Sequence, residues 1–188
     1  MSETAPQLSH DQATLVERAR AGDGDAFVEL VHPLQLTAYR WAAAIVGDAH
    51  EAQDAVQEAT IRAWRNIHKL RDPDTVGAWY RSIVLNECRR SRSGSWRRML
   101  PFGLDRAGAG TAHAQSHDAF EIGVVVRQVL DRLSVDHRMV LVLHHYFDVS
   151  LADIAEQLGV PLGTVKSRLS RAGEQFTRAY AAATKETP

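Results

Sequence analysis

The run Leu158-Gly159-Val160-Pro161-Leu162-Gly163-Thr164-Val165-Lys166-Ser167-Arg168-Leu169-Ser170-Arg171-Ala172 constrains this chain more than any other stretch. Gly159 and Pro161 separate two helical patterns, and neither residue type continues a helix readily. Past them, Leu162, Val165, Leu169, Ala172 and Phe176 recur at three- and four-residue intervals and make one apolar stripe. Before them, Ile154, Ala155 and Leu158 do the same on a shorter segment, and the small Ala155 permits a close crossing. This is the pattern of a helix-turn-helix. The other face of its second helix carries Thr164, Ser167, Arg168 and Arg171, flanked by Lys166 and Ser170. Packed on one side, hydroxyl-bearing and cationic on the other, such a helix suits a DNA major groove. A purely structural helical corner is the alternative reading of the same residues.

The rest of the chain is patterned like a helix as well. A first helix is expected near Asp11–Ala21, followed by a turn at Gly22-Asp23-Gly24-Asp25. Phe27, Leu30, Val31, Leu34, Ala38, Trp41, Ala42 and Ile45 then mark a long amphipathic helix. Pro33 lies inside it and is expected to kink it or to mark a late start. Gly47-Asp48 ends it. Ala52, Ala55, Val56, Ala59, Ala63, Ile67 and Leu70 form a second stripe. After the turn Asp72-Pro73-Asp74, Thr75 is a candidate cap for a helix carrying Val76, Trp79, Tyr80, Ile83 and Val84. Periodicity stops at residues 93–117, where Gly, Ser and Pro interrupt the pattern and little apolar surface is available to order the backbone. Beyond it, Ser134 and Ser150 are candidate caps for two further helices, and Gly159 closes the second. No stretch alternates with period two. The expectation is an all-α protein of two small helical domains joined by a flexible linker. Residues 11–92 form an N-terminal helical bundle, 93–117 the linker, and 118–182 a C-terminal helix-turn-helix domain.

A formal net charge of -1 looks wrong for a nucleic-acid binder until it is divided along the chain. Residues 1–60 hold 3 basic and 10 acidic groups, whereas residues 61–98 hold 10 basic and 3 acidic. Residues 99–160 hold 4 and 8, and residues 161–188 hold 5 and 2. Two basic blocks therefore lie far apart, and such blocks attract phosphate and release its counterions. A single cysteine, Cys88, excludes an intramolecular disulfide and fits a reducing compartment. No run approaches the roughly 18 apolar residues of a membrane span. The N-terminus lacks the basic start and apolar core of a signal peptide. A cytoplasmic protein without membrane insertion is expected.

Two more segments carry chemistry. Asp54, Gln57, Glu58 and Arg62 share one polar helix face beside Trp64, which suits either a solvated face or a partner protein. Trp79-Tyr80-Arg81-Ser82-Ile83-Val84-Leu85-Asn86-Glu87-Cys88-Arg89-Arg90 mixes aromatic, amide and guanidinium groups. Aromatic faces stack on unpaired bases and arginines hold the backbone, although Trp79 and Ile83 also fit a helix core. His144 with Asp148 could ligate a metal, but no third ligand is in view. No phosphate loop, nucleophile elbow or zinc-protease motif occurs. Neither an enzyme nor a cofactor, metal or small-molecule substrate is expected.

Taken in order, these segments resemble one family, the extracytoplasmic-function (ECF) RNA polymerase sigma factors of the sigma-70 family. Asp54-x-x-Gln57-Glu58-Ala59-Thr60 resembles the family's core-polymerase-binding helix. Trp79-x-x-x-Ile83-x-x-Asn86 resembles its segment for reading and melting the promoter -10 element. Gly163-Thr164-Val165-Lys166-Ser167-Arg168-Leu169-x-Arg171-Ala172 resembles its -35 recognition helix. The resemblance implies that Asp54, Gln57, Glu58 and Arg62 face core RNA polymerase. It implies that Trp79, Tyr80, Asn86, Arg89 and Arg90 serve the -10 element, and that Thr164, Lys166, Ser167, Arg168 and Arg171 serve the -35 element. Promoter DNA, core polymerase and an anti-sigma factor are the implied partners. The chain departs from the family's pattern at Tyr80, where Leu is frequent, and at Arg90, where Asp is frequent. The rival expectation is a stand-alone helix-turn-helix regulator with an N-terminal sensing bundle, which would act as a dimer on a palindromic site.

Overall fold

A computed structural model describes residues 5–90 and 117–185, with side chains described from 11 and from 123 onward in the two stretches. Eight α-helices account for them: α1 (Ala5–Arg20), α2 (Gly24–Val46), α3 (Ala49–Asn66), α4 (Val76–Arg90), α5 (His117–Asp131), α6 (Val135–His145), α7 (Leu151–Leu158) and α8 (Leu162–Lys185). No strand occurs among the described residues. The expected linker lies outside them, except that His117 already opens α5.

Local chemistry sets most helix ends. The Asp23 carboxylate caps α2 by accepting from the Ala26 N–H. That bond, with the Arg18 guanidinium beside it, holds Asp23 below the usual carboxylate range. Gly47 closes α2 at φ 79°, left-handed backbone that favours glycine, and Asp48 at once caps α3 through the His50 and Glu51 N–H groups. Ser134 caps α6 and Ser150 caps α7, each accepting from the N–H three residues on, and Gly159 at φ 63° ends α7. Three expectations are corrected. The first helix begins at Ala5, earlier than Asp11. α2 starts at Gly24 and runs through Pro33; that ring forfeits one intrahelical donor, but the helix is clamped along its buried face. Thr75 does not cap α4: a 3₁₀ turn, Pro73–Thr75, leads straight into it, and the Thr75 hydroxyl donates to the Asp72 carbonyl.

In the N-terminal half, α2 packs on α1, α3 and α4, and α3 packs on α4. The side of α3 facing them is a row of buried alanines, Ala52, Ala55, Ala59 and Ala63. Their small side chains let the long α2 and α4 approach closely. In the C-terminal half, α5, α6 and α7 surround α8. The two halves also touch: α2 and α4 pack on α6, and α4 on α7. Apolar burial is continuous across that seam, from Val31, Ile45 and Leu85 to Met139, Leu143, Ile154 and Val165. Trp41 meets Phe147 at 5.9 Å between ring centroids, and the Arg81 guanidinium lies 5.5 Å over the Trp41 ring.

A buried charged side chain crosses this seam. Arg138 of α6 is buried, with Nε donating to the Leu130 carbonyl at 3.0 Å and Nη2 to Leu133 at 3.2 Å. Its Nη1 crosses to the N-terminal half and donates to the Ile45 carbonyl at 2.9 Å, in the last turn of α2. Burial pulls this guanidinium below its ordinary pKa, opposed by Asp131, but an arginine so placed stays charged and needs every one of those acceptors. Replacement of Arg138 by alanine is expected to destabilise the protein by about 2–3 kcal/mol, because buried carbonyls lose their donor. A lowered urea midpoint in equilibrium unfolding checks this.

Candidate nucleic-acid interface

The basic face of the last helix is set by how α8 is held. Val165 and Ala172 are fully buried and Leu169 packs on the core, which turns Lys166, Ser167, Ser170 and Arg171 outward, all exposed. Helical spacing allows no other outcome once that stripe is buried. The Pro161 carbonyl accepts from Thr164 at 2.8 Å and starts the helix without needing the N–H that proline lacks. Ser167 donates back to the Thr164 carbonyl at 3.0 Å, so its hydroxyl oxygen faces outward as an acceptor. Thr164 and Arg168 are half-buried. Lys166 and Arg171 therefore present exposed cationic heads with no partner among the described residues, while Arg168 is engaged within the protein.

The segment on α4 divides between core and surface. Asn86 and Arg90 are exposed, Arg89 is half-buried, and Trp79 is half-buried against the core. Tyr80 corrects the expectation made for it. It is fully buried, its hydroxyl is 2.7 Å from Thr60 Oγ1, and burial pushes its pKa up. Because the Thr60 hydroxyl donates to the Val56 carbonyl at 2.8 Å, Tyr80 is the donor of this pair. The phenol ties α4 to α3, and its ring offers no face for a base. An aromatic beside a tryptophan reads as a stacking pair in sequence; one helical step of rotation puts it inside.

On α3, Asp54, Gln57, Glu58 and Arg62 are all exposed along one face. Trp64 follows them with over a third of its surface exposed and its ring edge-on to Phe27 at 5.1 Å. Arg62 differs from its neighbours: its Nε pairs with Glu87 at 2.7 Å, and Arg90 pairs with the same carboxylate oxygen at 3.0 Å. The buried Glu87 thus fixes one residue of the α3 set and one of the α4 set.

One group not marked in the sequence joins the two sets expected to meet DNA. Asp136, in the first turn of α6, accepts from Arg89 Nε at 2.7 Å on one carboxylate oxygen and from Arg168 Nη2 at 3.0 Å on the other. Arg89 Nη1 also donates to the Asn86 side-chain oxygen at 3.1 Å. An acidic residue just after a serine cap is ordinary helix chemistry, and nothing in its spacing distinguishes it. The His144 and Asp148 pair does not build a metal site. The His144 ring nitrogen is 3.0 Å from the Val149 carbonyl, and among the described residues no group of three potential ligands converges.

Comparison with known proteins follows the same division of the chain. Residues 30–98 match the family described as sigma-70 region 2, and residues 124–174 the family described as sigma-70, region 4. The chain is 32% identical to the RNA polymerase sigma-H factor of Pseudomonas aeruginosa, over 88% of this chain and 91% of that protein. It is 31% identical to the ECF RNA polymerase sigma factor SigM of Mycobacterium tuberculosis, over 88% of this chain and 83% of that one. Among solved structures, CnrH in complex with the cytosolic domain of CnrY superposes with a TM-score of 0.60 at 25% identity, over 92% of this chain and 98% of that one.

The interior assignment of Tyr80 has a direct consequence. Tyr80→Phe should lower stability by about 1 kcal/mol through the lost hydroxyl bond, seen in chemical unfolding. It should leave affinity for single-stranded DNA unchanged, measured by fluorescence anisotropy.

Proposed function

The chain belongs to the ECF RNA polymerase sigma factors of the sigma-70 family, and from that membership we propose how its residues direct core RNA polymerase to promoters. It is a specificity subunit for transcription initiation. We read it as having no catalysis and no cofactor of its own, acting in the cytoplasm, and kept in check by an anti-sigma factor, in line with the partner-bound state of CnrH. No helix of the described residues is long and apolar enough to cross a membrane.

The observation that carries the residue-level reading is the exposed basic face of α8, rigidly set by Val165 and Ala172 behind it. In this reading α8 enters the major groove of the -35 element. Lys166, Arg168 and Arg171 contact base edges or phosphates, and Thr164 and Ser167 position the helix on the backbone. Residues 118–182 form this domain and residues 11–92 the other, with 93–117 spanning the polymerase between them.

In the second domain, exposed Asn86 takes an unpaired -10 base beside Trp79, while Arg89 and Arg90 hold phosphates. Tyr80 supports this surface from inside. Core polymerase is met by Asp54, Gln57 and Glu58 with the exposed edge of Trp64, and Arg62 is held to Glu87 at the border of that face. Neither DNA contact is large, so the polymerase has to fix their spacing for both to act together.

Transcription from promoter DNA by purified core polymerase plus this protein tests the function, and failure to form a complex with core would sink it. Within that assay, Arg168→Ala should weaken promoter-specific binding of the holoenzyme about tenfold to a hundredfold if the guanidinium reads a base. An equal loss on random DNA would make it a phosphate contact.

A further inference from the structure

We propose that Asp136 is an internal stand-in for DNA phosphate: it clasps Arg89 and Arg168 together, holds the two halves of the free protein closed, and must be displaced before the promoter is engaged. This inference rests on the reading of those two arginines as DNA contacts.

Three elements meet at this carboxylate. Arg89 comes from α4, Arg168 from α8 and Asp136 from α6, with Nε and Nη2 at 2.7 and 3.0 Å. Asn86 is drawn in through Arg89 Nη1. One residue of the -35 set and two of the -10 set are therefore occupied at once. Two guanidinium groups on one carboxylate lie within roughly 8 Å of each other. Elements named -35 and -10 are separated by about 25 base pairs, or about 85 Å of duplex at about 3.4 Å per pair. The closed arrangement cannot place both arginines on their elements, so opening is a requirement of function.

The clasp is also built to be outcompeted. It holds two positive groups and one negative one. Arg89 Nη2 and Arg168 Nη1 are buried without a hydrogen-bond partner among the described residues. DNA offers each guanidinium a phosphate of its own, with bidentate geometry for the donors left over. The seam beneath is held by ring packing of Trp41 on Phe147 and by Arg138 buried on the Ile45 carbonyl, contacts enclosed within the protein. Asp136 is therefore the element of the seam through which DNA acts. Releasing Arg168 to the -35 element frees Arg89 as well, which couples the two contacts.

The test uses the full chain with spin labels at Gln53→Cys and Ala181→Cys, both exposed positions in opposite halves. Cys88 should stay unlabelled, since burial pushes its thiol up to about 12. Distances between labels are measured by electron paramagnetic resonance without DNA or polymerase, and affinity for a -35 duplex by anisotropy. Asp136→Asn should move a fraction of molecules to longer distances and raise duplex affinity of the free protein about three- to tenfold. Glu156→Gln removes the same charge from an exposed site of the same half and should change neither. Unchanged distances in Asp136→Asn, or an equal affinity gain in Glu156→Gln, overturns the clasp. Transcription with core polymerase reports on the sigma-factor reading separately, because a failed clasp leaves that activity intact.

Discussion

A guanidinium buried between two helical bundles is the constraint on which the arrangement depends. Arg138 enters the seam carrying full charge, and backbone carbonyls from both halves accept from it. A charge in that position tolerates little sliding, since any shift leaves a donor or a carbonyl unpaired in a low dielectric. It therefore sets how α6 sits on the end of α2. Everything around it follows: Phe147 lands on Trp41, Arg81 covers that indole, and Asp136, two residues before Arg138, is delivered to Arg89.

The same economy recurs at smaller scale. Glu87 holds Arg62 and Arg90, and Asp136 holds Arg89 and Arg168. Each acidic group serves two arginines from different helices or turns. A chain rich in basic residues over 61–98 and 161–188 thereby keeps its cationic surface in order with few carboxylates. These pairs are partly solvated and individually weak.

Some elements were legible and some were not, and the difference is local. Ser134, Ser150, Gly47 and Gly159 act where their chemistry places them, because a cap needs only its own turn. Pro33 does not delay the start of α2, because a proline's cost in an isolated helix is offset when the helix is packed against α1, α3, α4 and α6. Thr75 misled because a 3₁₀ turn competed for the same hydroxyl. Tyr80 misled because amphipathic spacing leaves positions at the stripe's border undecided. Only the partner at Thr60, on another helix, turned it inward.

The sequence by itself determined the helices, the helix-turn-helix, its cationic face and the resemblance to one family. All of these are written in short-range periodicity and in residues close along the chain. Tertiary structure alone decided that Tyr80 is core, that Arg62 and Arg90 share Glu87, and that Arg89 and Arg168 converge on Asp136. The Arg89–Asp136 contact spans 47 residues. Its formation depends on how two amphipathic bundles rotate against each other, and that rotation is chosen by the packing of their joint apolar surface and by one buried arginine between them.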